Sequence, residues 1–115
     1  MIRLGEIYVA DFPGAGPHPV IVVSRESLNR GSYVVVVVCT SARFALRNTF
    51  PNCVPFRKGQ FGFMKDCVAQ CENVLSIEVD QIDLTQDLQG TLSEKAFREV
   101  VKAIGNVLNS DCEPQ

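Results

Sequence analysis

No apolar run in this 115-residue chain approaches the ~18 residues that a membrane-crossing helix requires. The longest, Val34 to Cys39, is strand-sized and β-branched. An apolar leader with a cleavage site is missing too, because Arg3, Glu6 and Asp11 interrupt the N-terminus, so a cytoplasmic location without a membrane partner is expected. Repeats, low-complexity tracts and linkers are absent, which leaves one domain over residues 1–115, long enough for a real core. Excess charge of one sign is lacking, and a net charge of -2 gives no bulk signal for nucleic acid. The five cysteines (Cys39, Cys53, Cys67, Cys71 and Cys112) cannot all pair within one chain. Cys39 reads as a buried strand residue, where a free thiol behaves as a small hydrophobe. Cys67 and Cys71 share a strand face four residues apart, whereas zinc favours Cys-x2-Cys or a tight loop. Reduced structural thiols are therefore expected, with no metal and no cofactor.

What the chain does have is a polarised charge distribution. Between Arg25 and Lys65 stand Arg30, Arg43, Arg47, Arg57 and Lys58, opposed only by Glu26. From Glu72 to Glu94 there is no base, but Glu78, Asp80, Asp83 and Asp87 intervene. Such a split makes a basic face for phosphates, or simply two solvated faces.

The pattern predicts strands at 5–12, 19–25, 33–40, 52–56, 66–72 and 75–79. The Gly- and Pro-rich segment Pro13 to Pro17 reads as a turn, as do 29–32 and 57–59, and 41–50 as a polar loop. Residues 33–40 are apolar on both faces, which points to a central strand. Many short strands with frequent turns suggest a small antiparallel barrel. The period then changes. Phe97, Val100, Val101, Ile104, Val107 and Leu108 recur at helical spacing, capped by Thr91 or Ser93 and ending near Asn109.

Several short motifs follow one another in order: Gly5-Glu6-Ile7-Tyr8, Asp11-Phe12-Pro13, Pro19-Val20-Ile21-Val22-Val23-Ser24, the valine run into Cys39-Thr40-Ser41, and Gly62-Phe63-Met64-Lys65-Asp66. Weak singly, in this order they resemble the MazF/PemK family of toxins over nearly the whole chain. The resemblance implies a mainly β fold, an SH3-like antiparallel barrel of the CcdB/PemK/MazF type with a long C-terminal helix. It also implies a homodimer held by a cognate antitoxin that reaches operator DNA. The implied activity is metal-independent, sequence-specific cleavage of single-stranded RNA by attack of the 2′-hydroxyl. That chemistry needs a base, an acid and donors for the phosphorane charge.

Carried over by position, the family's hydroxyl pair falls on Thr40 and Ser41, and its arginine before the second strand falls on His18. Imidazole shuttles protons near neutrality but lacks the guanidinium fork that clamps phosphate. Its flanking Pro17 and Pro19 stiffen it. His18 thus reads either as a working replacement or as a solvent-exposed loop histidine. Where some relatives carry a catalytic arginine and aspartate, this chain has Gln70 and Glu72. A frequent Arg-Thr-Ile appears as Leu75-Ser76-Ile77. Arg43 and Arg47 stand as substrate-binding candidates, with Phe44 as a base-stacking surface, against the alternative of ordinary loop residues. The competing reading is a catalytically weakened barrel dimer that binds antitoxin, DNA or, like the related poison CcdB, gyrase.

Overall fold

Alternation of buried and exposed side chains sets the strands, and the computed structural model describes them over residues 1–82 and 88–108. Six strands, β1 (Glu6–Phe12), β2 (Gly16–Val22), β3 (Tyr33–Thr40), β4 (Cys53–Phe56), β5 (Cys67–Glu78) and β6 (Leu88–Thr91), pair antiparallel. Their spatial order is β4-β5-β3-β2-β1-β6, curled into a half-barrel. One turn of helix, α1 (Phe44–Arg47), follows β3, and a long helix, α2 (Glu94–Leu108), follows β6.

The sheet carries a core on each face. On one, Ile7, Ile21, Val37, Cys39, Ala69 and Cys71 meet Ala96, Val100 and Ala103 of α2. On the other, Tyr8, Ala10, Val20, Val22, Val34, Val36 and Val38 pack with Ile2, Ile77 and Ile82. β3 supplies both, which explains the valine run as core burial on two sides. The amphipathic α2 is held by its apolar stripe, each fully buried side chain such as Val100 contributing about 1.5–3 kcal/mol. Its cap is Ser93, whose Oγ accepts from the Ala96 N–H at 3.2 Å; Thr91, the other candidate, lies in β6. The expected helix end near Asn109 lies outside the described residues.

Three expectations change. First, β2 begins at Gly16 rather than at Pro19, so Pro17 and His18 belong to the strand rather than to the turn and its exit. β2 pairs with β3 only over Val20 to Val22, so the two prolines sit where one edge is free and a missing N–H costs little. Second, the stretches 66–72 and 75–79 are one strand. Val37 pairs with Val74 but Cys39 with Ala69, so Val38 stands across from a bulge at 70–73. Third, β6 was not expected, since Leu88-Gln89-Gly90-Thr91 has neither alternation nor β-branched content beyond Thr91.

β6 also closes the half-barrel without strand pairing. The turn Gln60–Gly62 after β4 lies against it so closely that a Cβ on Gly62 would stand 2.0 Å from the Gln89 carbonyl oxygen. A Cβ on Gly90 would stand 2.0 Å from that of Phe61. Only glycine on both sides permits this approach. At the opposite end, buried Ser24 and Asn29 hydrogen-bond to each other. Asn29 also donates to the carbonyls of Ile2 (3.2 Å) and Ser24 (2.9 Å), which ties the chain start to β2.

Candidate functional site

Strand pairing turns His18 into a half-buried side chain rather than an exposed loop residue. It pairs with Ala10 of β1, and continuing the Val20–Val38 register brings it beside the end of β3. Its Nδ1 lies 3.2 Å from the Cys39 carbonyl oxygen and its Nε2 3.2 Å from that of Ala15. Carbonyl oxygens only accept, so each contact requires a ring N–H, and a neutral imidazole carries one. The Phe12 ring flanks the imidazole, centroids 6.1 Å apart and planes tilted by 59°.

His18 forms the wall between two cavities. One, of about 350 Å³, is lined by His18, Ser41, Lys65, Cys67 and Gln89 among others. The second, of about 280 Å³, is lined by His18, Phe12, Gln70, Asn73 and Leu75 among others. Of the residues picked from sequence, the structure therefore brings together His18, Ser41 and Gln70.

The two hydroxyls at the end of β3 differ. Thr40 is buried, and its Oγ1 accepts the Ala42 N–H at 3.2 Å, which fixes the turn out of the strand. Ser41 is exposed and opens into the first cavity. Arg43, Phe44, Arg47 and Glu72 line neither cavity. Arg43 starts α1 with φ +53° and points to no cap. Phe44 lies under the Arg57 guanidinium, 4.8 Å from ring centroid to Cζ, so that face is already stacked. Arg47 and Glu72 flank Cys53, whose thiol is pushed up by burial and by Glu72, with Arg47 opposing.

Sequence reasoning missed Lys65, Gln89 and Asn73 as lining residues. Lys65 stood inside the quoted Gly62-to-Asp66 motif, so a signal existed. Gln89 lies on the unexpected strand β6, and Asn73 reaches its cavity only through the bulge, which no periodicity announces.

Cys39, Cys67 and Cys71 lie in the core that faces α2. Burial pushes the Cys71 thiol up to about 12, and it donates to the Val100 and Ala69 carbonyls, each at 3.8 Å. The phenol of Tyr8 is likewise raised by burial and by its hydrogen bond to Glu6. Among the described residues no three His, Cys, Asp or Glu side chains gather as metal ligands, and no helix is long and apolar enough to cross a membrane.

The two-cored half-barrel with its C-terminal helix is a fold shared with solved MazF-like structures. A mycobacterial endoribonuclease in complex with its cognate antitoxin superposes with TM-score 0.79 at 23% identity, covering 99% of this chain and 100% of that one. The Mycobacterium tuberculosis toxin MazF-mt6 gives 0.75 at 22% identity, over 90% of this chain and 96% of that one. MazF in a MazE–MazF crystal from Deinococcus radiodurans gives 0.72 at 17% identity, over 93% and 94%. No curated protein matches by sequence. The family model for the PemK-like, MazF-like toxin of type II toxin–antitoxin systems matches residues 3–108, and the chain belongs to that family.

Proposed function

We propose that the protein is the toxin of a type II pair and an endoribonuclease that cuts single-stranded RNA through His18. The observation that carries this is the position of His18 between two cavities, beside Ser41 and Lys65. A phosphodiester lying across that wall places one nucleoside on each side.

The Nδ1–H donated to the Cys39 carbonyl orients the ring from within a strand, which makes Nε2 the working nitrogen. Its partner, the Ala15 carbonyl, belongs to an exposed turn and yields when RNA enters. Nε2 takes the 2′-hydroxyl proton as that oxygen attacks phosphorus, the P–O5′ bond breaks, and the imidazolium passes the proton to the departing 5′-oxygen, leaving a 2′,3′-cyclic phosphate and a 5′-hydroxyl. Ser41 and Lys65 donate to the phosphate oxygens as charge develops there. Thr40, committed to its turn, positions Ser41. Gln70 and Asn73 offer amide donors and acceptors to a base edge in the second cavity. Arg43, Arg47, Phe44 and Glu72 serve the outer groove of a homodimer, where RNA or an acidic antitoxin tail runs, and operator DNA is reached through that antitoxin.

A second reading rests on the same histidine. Both ring nitrogens face backbone carbonyls, as in a structural residue, and the positions that carry arginine in relatives are His18, Gln70 and Leu75 here. On that reading the dimer binds antitoxin, DNA or gyrase without turnover. One experiment separates them. Antitoxin-free protein is incubated with a long single-stranded RNA in EDTA, from about pH 5.5 to 8.5, beside His18→Ala. Cleavage that vanishes in the variant establishes the nuclease. Intact RNA at every pH, from folded protein, transfers the assignment to binding.

A further inference from the structure

The two cavities beside His18 differ in what they offer a ligand. The second holds two half-buried amides, Gln70 and Asn73, and neither side chain has a hydrogen-bond partner among the described residues. Its other walls include the apolar Phe12, Val38 and Leu75. The first is walled mainly by apolar side chains, Val9, Pro17, Pro19, Phe63 and Met64, together with the Ser41 hydroxyl and the Lys65 ammonium.

The imidazole between them has a direction. Nδ1 is held by the Cys39 carbonyl at the end of β3, whereas Nε2 faces the Ala15 carbonyl. Ala15 lines the second cavity and not the first. The working nitrogen therefore opens on the second cavity, while the donors for phosphate stand in the first.

We infer that RNA crosses this wall in one direction. The nucleoside whose 2′-hydroxyl attacks lies in the second cavity, its base read by Gln70 and Asn73, and the nucleoside after the cut lies in the first. The inference rests on the nuclease reading and adds a polarity to it. A 2′-hydroxyl that gives its proton to Nε2 takes the place of the Ala15 carbonyl, so its ribose and base belong to the second cavity. The phosphate that follows reaches Ser41 and Lys65 across the ring. Entering and leaving oxygens lie roughly in line through phosphorus, so the 5′-oxygen and its nucleoside fall on the first-cavity side. The walls then set the selectivity of each side. An amide offers both a donor and an acceptor, and an unstacked base presents the complementary pair on its edge. Gln70 and Asn73 thus discriminate among bases before the cut. The apolar walls of the first cavity touch base faces, which all four bases possess, so the position after the cut is tolerant.

The test needs no turnover, so it fails separately from the nuclease reading. Full-length antitoxin-free protein is titrated with the four 2′-deoxynucleoside 3′-phosphates and, in parallel, with the four 2′-deoxynucleoside 5′-phosphates. The side-chain amide signals of Gln70 and Asn73 and the methyl signal of Met64 are followed by NMR. The 3′-phosphates are expected to move the two amides and leave Met64, and the 5′-phosphates to do the reverse. Affinities of the 3′-phosphates should differ among bases by about tenfold or more, as a two-point base contact gives. Gln70→Ala combined with Asn73→Ala should level them, whereas the 5′-phosphates bind alike whatever the base. The mapping of unsubstituted protein decides even if the double variant folds poorly. An exchanged pattern, signals unmoved in both cavities, or 3′-phosphates bound without base preference would each overturn the inference. RNA cut by a protein with the exchanged pattern keeps the nuclease and loses the polarity. The expected pattern on a protein that leaves RNA whole keeps the polarity of binding and loses the nuclease.

Discussion

Two parts of the molecule looked equally suited to RNA in the sequence, and the fold treats them differently. Around His18, residues distant in sequence converge: Ser41 from the exit of β3, Lys65 ahead of β5, Gln70 and Asn73 from its bulge. Around α1, residues close in sequence engage one another or their neighbours: Phe44 lies under Arg57, Arg57 pairs with Asp66 at 3.4 Å, and Arg47 stands by Cys53. The difference teaches that a cluster of bases in a loop is a composition, whereas a site is a convergence of strands. Polar atoms held by paired strands are oriented before any ligand arrives, which is what a reaction needs.

The largest expected effect tests the first part directly. His18→Ala should lower RNA cleavage by about 10²–10⁴-fold, the usual contribution of a positioned proton-transfer group. Ser41→Ala should cost more activity than Thr40→Ala once both rates are corrected for folded fraction; the reverse order would return the phosphate contact to Thr40. Next comes a substitution at the seam between β6 and the turn Gln60–Gly62, which changes no polar side chain. Gly90→Ala should destabilise the fold by at least about 1–3 kcal/mol, because its Cβ meets backbone rather than a flexible side chain. Urea unfolding of this variant that overlays the parent would contradict the close approach of the two turns.

Smaller effects belong to the second part. Arg43→Ala with Arg47→Ala should weaken RNA binding and cleavage by about tenfold or less, as for exposed charges, and the loss should shrink as salt is added. A loss as large as that of His18→Ala would erase the contrast between the two regions. A last effect, in the core, is read by pH. The Cys71 thiol rises from 9.0 in the unfolded chain to about 12, so between those values the unfolded state is the one that loses a proton. The stability tied to this neutral thiol is fully present below about pH 9 and is lost as pH rises toward 12. Thermal melts of Cys71→Ala should therefore fall less steeply over that window than those of the parent.

Much of the fold was legible because periodicity survives in it. The valine run had to be a strand buried on both faces, and the stripe from Phe97 to Leu108 had to be a helix with Ser93 or Thr91 at its start. Pro17 misled, since a Gly- and Pro-rich run reads as a turn, and Pro19 read as the strand's entry although the strand starts three residues before it. Only the shortness of the β2–β3 pairing, invisible in sequence, makes room for them. β6 escaped for the opposite reason, being held by its neighbours on β1 and by Gly62 rather than by its own side chains. In the candidate site, His18 and Ser41 were found by their place in an ordered motif. Lys65 sat in plain view but carried no pattern of its own, and Thr40 was ranked beside Ser41 because a hydroxyl's commitment to a turn cannot be read from its letter.

The bulge in β5 has a consequence best put as parity. In an unbroken strand, residues an odd number apart point to opposite sides, so Gln70 and Asn73 would never share a chamber. Here four residues of β5 stand across from Val38 alone, an odd surplus that turns the strand over midway: Cys71 faces the helix and Leu75 the opposite core. The second chamber is thus made by chain length as much as by chemistry. Losing Val74 would restore plain alternation and satisfy both cores. It would also send the two amides to opposite sides of the sheet, so a change in the count of residues, with no change in their kind, would rewrite what the chamber reads.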